Sequence, residues 1–247
     1  MKQSTEISIV IPVKDEGASI KTLYDEINHV FSRESLTYEI IWVNDGSTDN
    51  TLDILKQLHE TDPKNRYVSF YANAGQSAAL MAGFEASKGV YIATLDGDGQ
   101  NDPADIPKLY ERLIKDGTDM VNGYREKRKD SQLRRIASKI ANNVRNAMTG
   151  KTVKDVGCST RLFKRDIFRV FPRFKGMHRF IPTFAVMYGF TISEIPVNHR
   201  ERKKGKTKYT INNRLWVGIY DIIGAMWLKN RSYRYRVREF STDQTKD

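Results

Sequence analysis

The triplet Asp96-Gly97-Asp98 sets two carboxylates one residue apart, just after a short apolar run. Hard divalent cations take oxygen ligands, so such a pair can hold one while a substrate diphosphate completes the shell. Alone the triplet says little, because acids in turns are usually just solvated. It is not an EF-hand: Asn101 stands where that loop needs glycine and Pro107 where it needs glutamate. Asp45-Gly46-Ser47 has a similar look. It reads as a helix-entry turn, which glycine and serine favour, or as a carboxylate that hydrogen-bonds a nucleobase or ribose. A third acidic pair, Asp15-Glu16, follows Pro12 and Lys14. No G-x-G-x-x-G or G-x-x-x-x-G-K-[ST] occurs, which excludes the usual dinucleotide and P-loop sites.

The elements that position these acids alternate. Residues 7–13 form a short apolar run, a buried strand. Residues 18–31 place Ile20, Leu23, Ile27 and Val30 on one helix face. A second strand is expected at 38–43, then a helix capped by Asp49 or Asn50 and carrying Leu52, Leu55 and Leu58. Strands at 67–71 and 90–95 flank an Ala-rich helix at 76–87 that Gly89 stops. A helix covering 107–114 and a strand at 119–122 follow. Such alternation predicts parallel βαβ units in an α/β sheet, where ligands bind beyond the carboxyl ends of the strands. All three acidic clusters fall at those ends, so they converge on one rim.

The second half is less regular. Residues 133–148 read as an amphipathic helix with Arg134, Arg135, Lys139 and Arg145 on its polar face. Residues 180–188 are apolar and buried, and 190–197 read as a strand. Residues 200–208 hold six basic residues and one acid around Gly205, a mobile charged loop. Residues 215–228 are apolar apart from Asp221, too short to span a bilayer, which needs roughly 20 apolar residues. Five basic residues follow between Lys229 and Arg238. Trp216, Tyr220 and Trp227 read equally as core or as interfacial anchors. His29 and His59 read as surface or filler, while His178 and His199, beside Arg179 and Arg200, stand where they could touch an acceptor.

Charge separates the two halves. The net charge of +11 is the sum of −9 over residues 1–124 (11 Lys+Arg, 20 Asp+Glu) and +20 over residues 125–247 (30 and 10). An acidic half suits a cation and a basic half suits phosphates, on a nucleic acid, a membrane surface or a phosphorylated substrate. The single cysteine, Cys158, excludes an internal disulfide framework and a multi-cysteine zinc module, and reads as a small buried residue. No basic-then-apolar leader opens the chain, so the expected setting is cytosolic.

In order along the chain, "SIVIPVKDE", "VNDGSTDNT", "NAGQSAALMAGFEASKGVYIATLDGDGQNDPADIP", "DVGCSTRLFKR", "MHRFIP" and "VNHRERKKGKTKY" are specific together, though none is alone. This set resembles family 2 glycosyltransferases of the polyprenyl-phosphate type, similar to dolichol-phosphate mannose synthase and its bacterial relatives. The resemblance implies a GT-A fold over 1–210: a nucleotide-binding, mostly parallel sheet flanked by helices. Residues 211–247 would supply an amphipathic helix and a basic tail for peripheral membrane or oligomer contact. It implies a nucleoside-diphosphate sugar donor, a polyprenyl (undecaprenyl or dolichyl) phosphate acceptor and a divalent cation, Mg²⁺ or Mn²⁺. By the same resemblance Pro12, Asp15, Glu16, Asp45, Gln76, Asp96 and Lys208 bind the donor, with Asp45 on the base. Asp96, Asp98 and Gln100 match the metal and diphosphate motif. Arg125, Arg135, Ser159 and Arg161 match the acceptor side, and Arg202 and Lys208 belong to a loop that closes over the diphosphate. Asp98, Arg125, Arg135 and Arg202 would be the catalytic set.

Two features depart from the family. Gly99 replaces a usual leucine, which predicts looser metal geometry. The paired membrane-spanning helices of many relatives are missing, so the enzyme is expected on the cytoplasmic face of the membrane, held peripherally or through a partner. A phosphate monoester, largely dianionic at pH 7, is already a competent nucleophile, so arginines matter more than a strong base. Direct displacement by it would invert the anomeric centre. A nucleic-acid-binding protein would need a continuous basic stripe with stacking aromatics, and here the basic clusters break into short loops around an acidic rim. A GT-A enzyme with a soluble saccharide acceptor would be expected to carry Arg-poor acceptor segments and a carboxylate base.

Overall fold

The computed structural model describes residues 5–126 and 153–200, with eight further positions between 220 and 231. The chain divides into two compact units, Met1–Thr210 and Ile211–Asp247. In the first unit, β1 (Ile7–Val13), β2 (Tyr38–Asn44), β3 (Asn65–Ser69) and β4 (Tyr91–Thr94) alternate with α1 (Gly17–Phe31), α2 (Thr51–Thr61) and α3 (Gln76–Ala86). Then come α4 (Asp105–Asp116), β5 (Met120–Tyr124), β6 (Arg161–Lys164), two 3-10 turns (Arg165–Val170 and Met177–Phe180), α5 (Ile181–Met187) and β7 (Ile192–Pro196). Among the described residues these strands form one sheet in the order β3-β2-β1-β4-β6-β5-β7. β1 pairs in parallel with β2 and β4, and β2 with β3. β6 runs antiparallel to both β4 and β5, while β5 and β7 are parallel.

Period-2 alternation divides the sheet residues between two layers. Ile7, Ile9, Ile11 and Val13 of β1 pack with Ile40 and Trp42 of β2 against Ile20, Leu23 and Ile27 of α1, Leu55 of α2 and Leu109 and Leu113 of α4. α3 packs on β1 and β2 through its own buried face. Phe84 of α3 meets Phe163 of β6 edge-on, with ring centroids 5.4 Å apart, and Phe171 closes this aromatic group. The α4 helix ends at Gly117, whose φ of +62° forms a left-handed cap.

Within residues 5–126 and 153–200 the expected elements are present, with shifted ends; residues 201–208 of the charged loop and half of 215–228 lie outside the described residues. β3 starts at Asn65, two residues before the apolar run, and its ladder stops at Ser69. Asn65 is held there by the Trp42 indole, which donates to its Oδ1 at 3.1 Å, while Tyr71 beyond the ladder is fully exposed. Asn50 occupies the N-cap of α2 without a side-chain bond; Asp49 Oδ1 instead accepts from the Thr51 amide at 3.0 Å. α3 ends at Ala86, capped by Ser87 in an extended conformation, before Gly89 is reached. Sequence pattern gives no sign of β6: four residues are too few to show a period, and its place between β4 and β5 depends on partners far away in sequence. The expected helix at 133–148 lies outside the described residues.

Candidate active site

The carboxyl ends of β1, β2 and β4 lie side by side, and the loops leaving them are bonded to one another. Asp15 sits at φ 51°, a left-handed conformation uncommon outside glycine. Its amide donates to Ser47 Oγ at 2.9 Å, and its Oδ1 accepts from the Thr48 amide at 2.7 Å. The Glu16 amide donates to Thr51 Oγ1 at 3.1 Å. Ser19 Oγ donates to the Gly97 carbonyl at 2.8 Å, tying the first loop to the third. Gly97 permits this approach, because a Cβ there would stand 2.6 Å from Val13 Cγ1 and 3.1 Å from the Pro12 carbonyl oxygen. The three acidic clusters therefore share one rim.

Asp45 is buried beneath the turn that opens α3. Its Oδ1 accepts from the amides of Ala74 (2.7 Å) and Gly75 (3.1 Å), and its Oδ2 from Gly75 N (3.0 Å) and Asn73 Nδ2 (2.6 Å). A carboxylate held by amides at a helix N-terminus complements the helix dipole. The geometry makes Asp45 a brace for the Asn73–Gly75 turn, from which Gln76 projects. Gln76 Nε2 donates to Asp96 Oδ1 at 3.0 Å.

Asp96 is the junction of the site. Its Oδ2 accepts from Ser159 Oγ at 2.6 Å. Asn101 Oδ1 accepts both the Asp96 amide, at 2.7 Å, and Ser159 Oγ, at 3.2 Å, while Asn101 Nδ2 donates to Thr160 Oγ1 at 2.8 Å. Withdrawal from water, with the like charge of Asp98, raises the Asp96 pKa above the usual carboxylate value against the Ser159 hydrogen bond and the charges of Arg161 and Arg125. Among the described residues the only hydrogen bond to Asp98 comes from the Gln100 amide, at 3.1 Å on Oδ1. The adjacent negative charge is thus incompletely balanced, which is the electrostatic condition for a cation. No group of three or more His, Cys, Asp or Glu poised for a metal occurs among the described residues. Two carboxylates and Gln100 fit a hard cation that draws its remaining ligands from substrate and water. Gly99 takes φ +74° with open space where a side chain would stand. A leucine would therefore meet left-handed strain of about 1–2 kcal/mol rather than a clash.

The residues expected on the acceptor side are more deeply engaged than their sequence suggests. Arg125 makes a two-pronged pair with Asp155, Nε to Oδ2 at 2.7 Å and Nη2 to Oδ1 at 3.1 Å. Arg161 is buried in β6; it donates to the His178 carbonyl at 3.1 Å and to the carbonyls of Val156 and Cys158. Burial lowers its pKa, opposed by the charges of Asp96 and Asp155. Cys158 is buried, as its residue type suggests. Arg135, Arg202 and Lys208 lie outside the described residues.

Sequence reasoning missed Asn101, Asp155 and the Ser77–His178 pair. Ser77 Oγ accepts from Gly176 N at 3.0 Å and meets His178 Nδ1 at 2.8 Å. Burial, then the charges of Arg179 and Arg161, push the His178 pKa down to about 3, so the ring is neutral. Sequence marks Arg200 only as one charge of the basic loop, yet it anchors that loop's base. Its guanidinium bridges Glu26 at 2.7 Å and Asp102 at 2.8 Å, and its amide donates to the Gln100 carbonyl at 2.9 Å. Asn101 and His199 form a β-bridge beside it. The segment that enters residues 201–210 is therefore fastened to the acidic loop.

Known proteins resemble this chain in sequence and in fold. The chain is 36% identical over 96% of its length to dodecaprenyl-phosphate galacturonate synthase of Rhizobium johnstonii, covering 70% of that protein. It is 37% identical over 90% of its length to undecaprenyl-phosphate 4-deoxy-4-formamido-L-arabinose transferase of Yersinia pestis, covering 67% of it. Mannosyl-3-phosphoglycerate synthase from Rubrobacter xylanophilus superposes with a TM-score of 0.69 at 15% identity, over 96% of this chain and 79% of that one. Glucosyl-3-phosphoglycerate synthase from Mycobacterium tuberculosis, solved with Mg²⁺ and uridine diphosphate, gives a TM-score of 0.66 at 18% identity over 91% and 78%. At such identities the likeness is one of fold, the GT-A arrangement of a mostly parallel sheet between helices. Residues 8–171 match the family described as Glycosyl transferase family 2. With well over half of its length inside that match, and with relatives above 30% identity along nearly all of it, the chain belongs to glycosyltransferase family 2.

Proposed function

We propose that this enzyme transfers a sugar, with inversion, from a nucleoside-diphosphate sugar to a polyprenyl phosphate. The observation that carries the reading is the 2.6 Å hydrogen bond from Ser159 to Asp96. It joins the acceptor-side segment to the metal and diphosphate segment, so two substrates held by these segments meet. The acceptor class rests on relatives whose names specify undecaprenyl or dodecaprenyl phosphate.

Asp96, Asp98 and Gln100 would hold a divalent cation, which when bound screens the diphosphate and stabilises the leaving nucleoside diphosphate. Pro12, Asp15, Glu16 and Gln76 line the donor side, and Asp45 sets the turn that carries Gln76. The acceptor phosphate is largely dianionic at pH 7 and attacks without giving up a proton. A bond forms between its oxygen and the anomeric carbon as the carbon–diphosphate oxygen bond breaks. His178, its pKa held down to about 3, is too weak a base to take a proton near neutral pH. The Arg125–Asp155 pair orders the acceptor side, and Arg135 and Arg202 supply positive charge for the two approaching anions.

We further propose peripheral attachment to a membrane surface through residues 211–238. Among the described residues no helix is long and apolar enough to cross a membrane. Tyr220, Ile223 and Trp227, at spacings that share one helix face, are all exposed. Incubation of a panel of nucleotide sugars with polyprenyl phosphate and Mg²⁺ or Mn²⁺ tests the function. Lipid-linked product that disappears with EDTA is expected; transfer only to soluble saccharides overturns the reading.

A further inference from the structure

We infer that the groove between α3 and residues 173–177 receives the first isoprene units of the lipid acceptor, an inference that rests on the acceptor proposed above. The groove encloses about 360 Å³. Ala74, Ala78 and Ala82 recur every fourth residue along α3 and its entry, so they form one shallow wall of methyl groups. Phe174 lines the groove with them, and the largely buried Met81 and Met177 add two adaptable thioethers.

The inner end adjoins the reaction site through covalent neighbours. Ser77 lines the groove, and Gln76 beside it donates to Asp96. The outer end carries Arg173 and Glu85, paired at 2.5 Å, and Lys175 also lines the groove. An apolar channel that starts at an anion-transfer site and ends among basic side chains matches an amphiphile lying between an active site and an anionic lipid surface.

The chemistry of the groove selects the occupant. In a prenyl phosphate the hydrocarbon begins one oxygen away from the phosphorus, so an acceptor poised for attack must place alkyl groups immediately beside the site. Leaving them in water forfeits binding free energy for every methylene. A nucleoside would instead need polar partners, and Ser77 Oγ is already engaged by Gly176 N and His178. Apart from Ser77 and the charged Glu85, Arg173 and Lys175, the lining is methyl, thioether and phenyl, which suits a branched chain. It does not suit a sugar or a base.

The test uses the full chain, a working donor, and phosphates of one, three and four isoprene units in detergent. The wild-type kcat/KM should rise with chain length, and Ala82→Trp, which fills the groove from a half-buried position, should flatten that rise by about tenfold, roughly the worth of two buried methylenes. Ala78→Leu is a milder variant and should flatten it partially. A benzophenone-bearing prenyl phosphate gives a readout independent of turnover: its crosslinks should map to peptides within 74–82 or 173–177 and be competed by unlabelled prenyl phosphate. If folded variants keep the wild-type chain-length dependence, or if crosslinks fall elsewhere, the groove assignment is wrong while the function stands. If the wild type transfers sugar to none of the prenyl phosphates, the function itself fails and the groove assignment falls with it.

Discussion

Asp98 and Asp45 are both carboxylates on the same rim, yet the structure surrounds them differently. Asp98 accepts one backbone amide and faces the like charge of Asp96, so its oxygens remain available to a cation. Asp98→Asn should cut turnover by orders of magnitude with an unchanged melting temperature; activity retained in EDTA would refute the role. Asp45 accepts four hydrogen bonds from three donor groups, and three of the four come from the backbone amides of Ala74 and Gly75, which cannot reverse their polarity. An amide at this position turns N–H against N–H, so Asp45→Asn should destabilise the fold by roughly 2 kcal/mol, read by urea denaturation. Two further residues set the acid limit of stability. Burial would raise the Glu39 pKa, but hydrogen bonds from Ser8, Arg66 and the Lys88 amide, with the Arg66 charge, hold it below the usual value. A depressed carboxylate stabilises above its unfolded pKa, about 4.3, and that contribution is lost as pH falls through the folded value. His178, also depressed, keeps its full contribution above the unfolded imidazole pKa of about 6.5 and loses it on the way down to about 3. Glu39→Gln should therefore flatten the stability profile only below about pH 4.3, and His178→Gln below about pH 6.5. Denaturant midpoints measured at several pH values distinguish the two windows.

The elements explain which of these residues were legible in the sequence. Each acid cluster follows a strand of the repeating βαβ pattern, so a period count alone places Asp15, Asp45 and Asp96 on one rim. β6 and its contacts break that pattern. Ser159 and Asn101 meet across 58 residues, and Ser77 and His178 across 101. No local period encodes such pairs. The first follows from the antiparallel insertion of β6 between β4 and β5, which swings the segment before it over the third loop, and the second from the 3-10 turn Met177–Phe180 packing on α3. Arg125 and Arg161 illustrate the same limit: residue type suggests cations open to a ligand, whereas the fold turns one toward Asp155 and the other toward carbonyl groups. Arg200 shows that the base of the basic segment is structural. Its two ion pairs are partly exposed and worth within about 1 kcal/mol together, so Arg200→Ala should leave the melting temperature nearly unchanged. Its loss should nevertheless slow transfer several-fold, because the pairs with Glu26 and Asp102 hold in place the main chain of Arg200, to which the Gln100 backbone and side chain both bond. A variant with normal kcat would show that this anchor has no bearing on catalysis.

At the scale of the whole molecule, the charge division of −9 and +20 between the halves argues for two different surfaces. The acidic half carries the rim proposed to take a cation. The basic half includes Lys229, Arg231, Arg234, Arg236 and Arg238, which follow the exposed Tyr220, Ile223 and Trp227 along the chain. Each Lys or Arg near an anionic bilayer contributes about 1 kcal/mol, and that attraction decays within a Debye length of about 10 Å at 0.1 M salt. Three exposed apolar side chains add a hydrophobic attraction that salt does not screen. The two attractions therefore separate in one experiment, co-sedimentation with anionic vesicles across a salt series. Wild-type protein should bind at low salt and be largely released at high salt, which identifies charge as the stronger of the two. Replacing the five basic residues by glutamine should abolish the salt-sensitive fraction, and Ile223→Ser with Trp227→Ser should remove what persists at high salt. Neutral vesicles should capture little of the wild type. Protein that resists high salt and leaves only with detergent would mean that the segment is inserted in the bilayer, and the peripheral reading would fail.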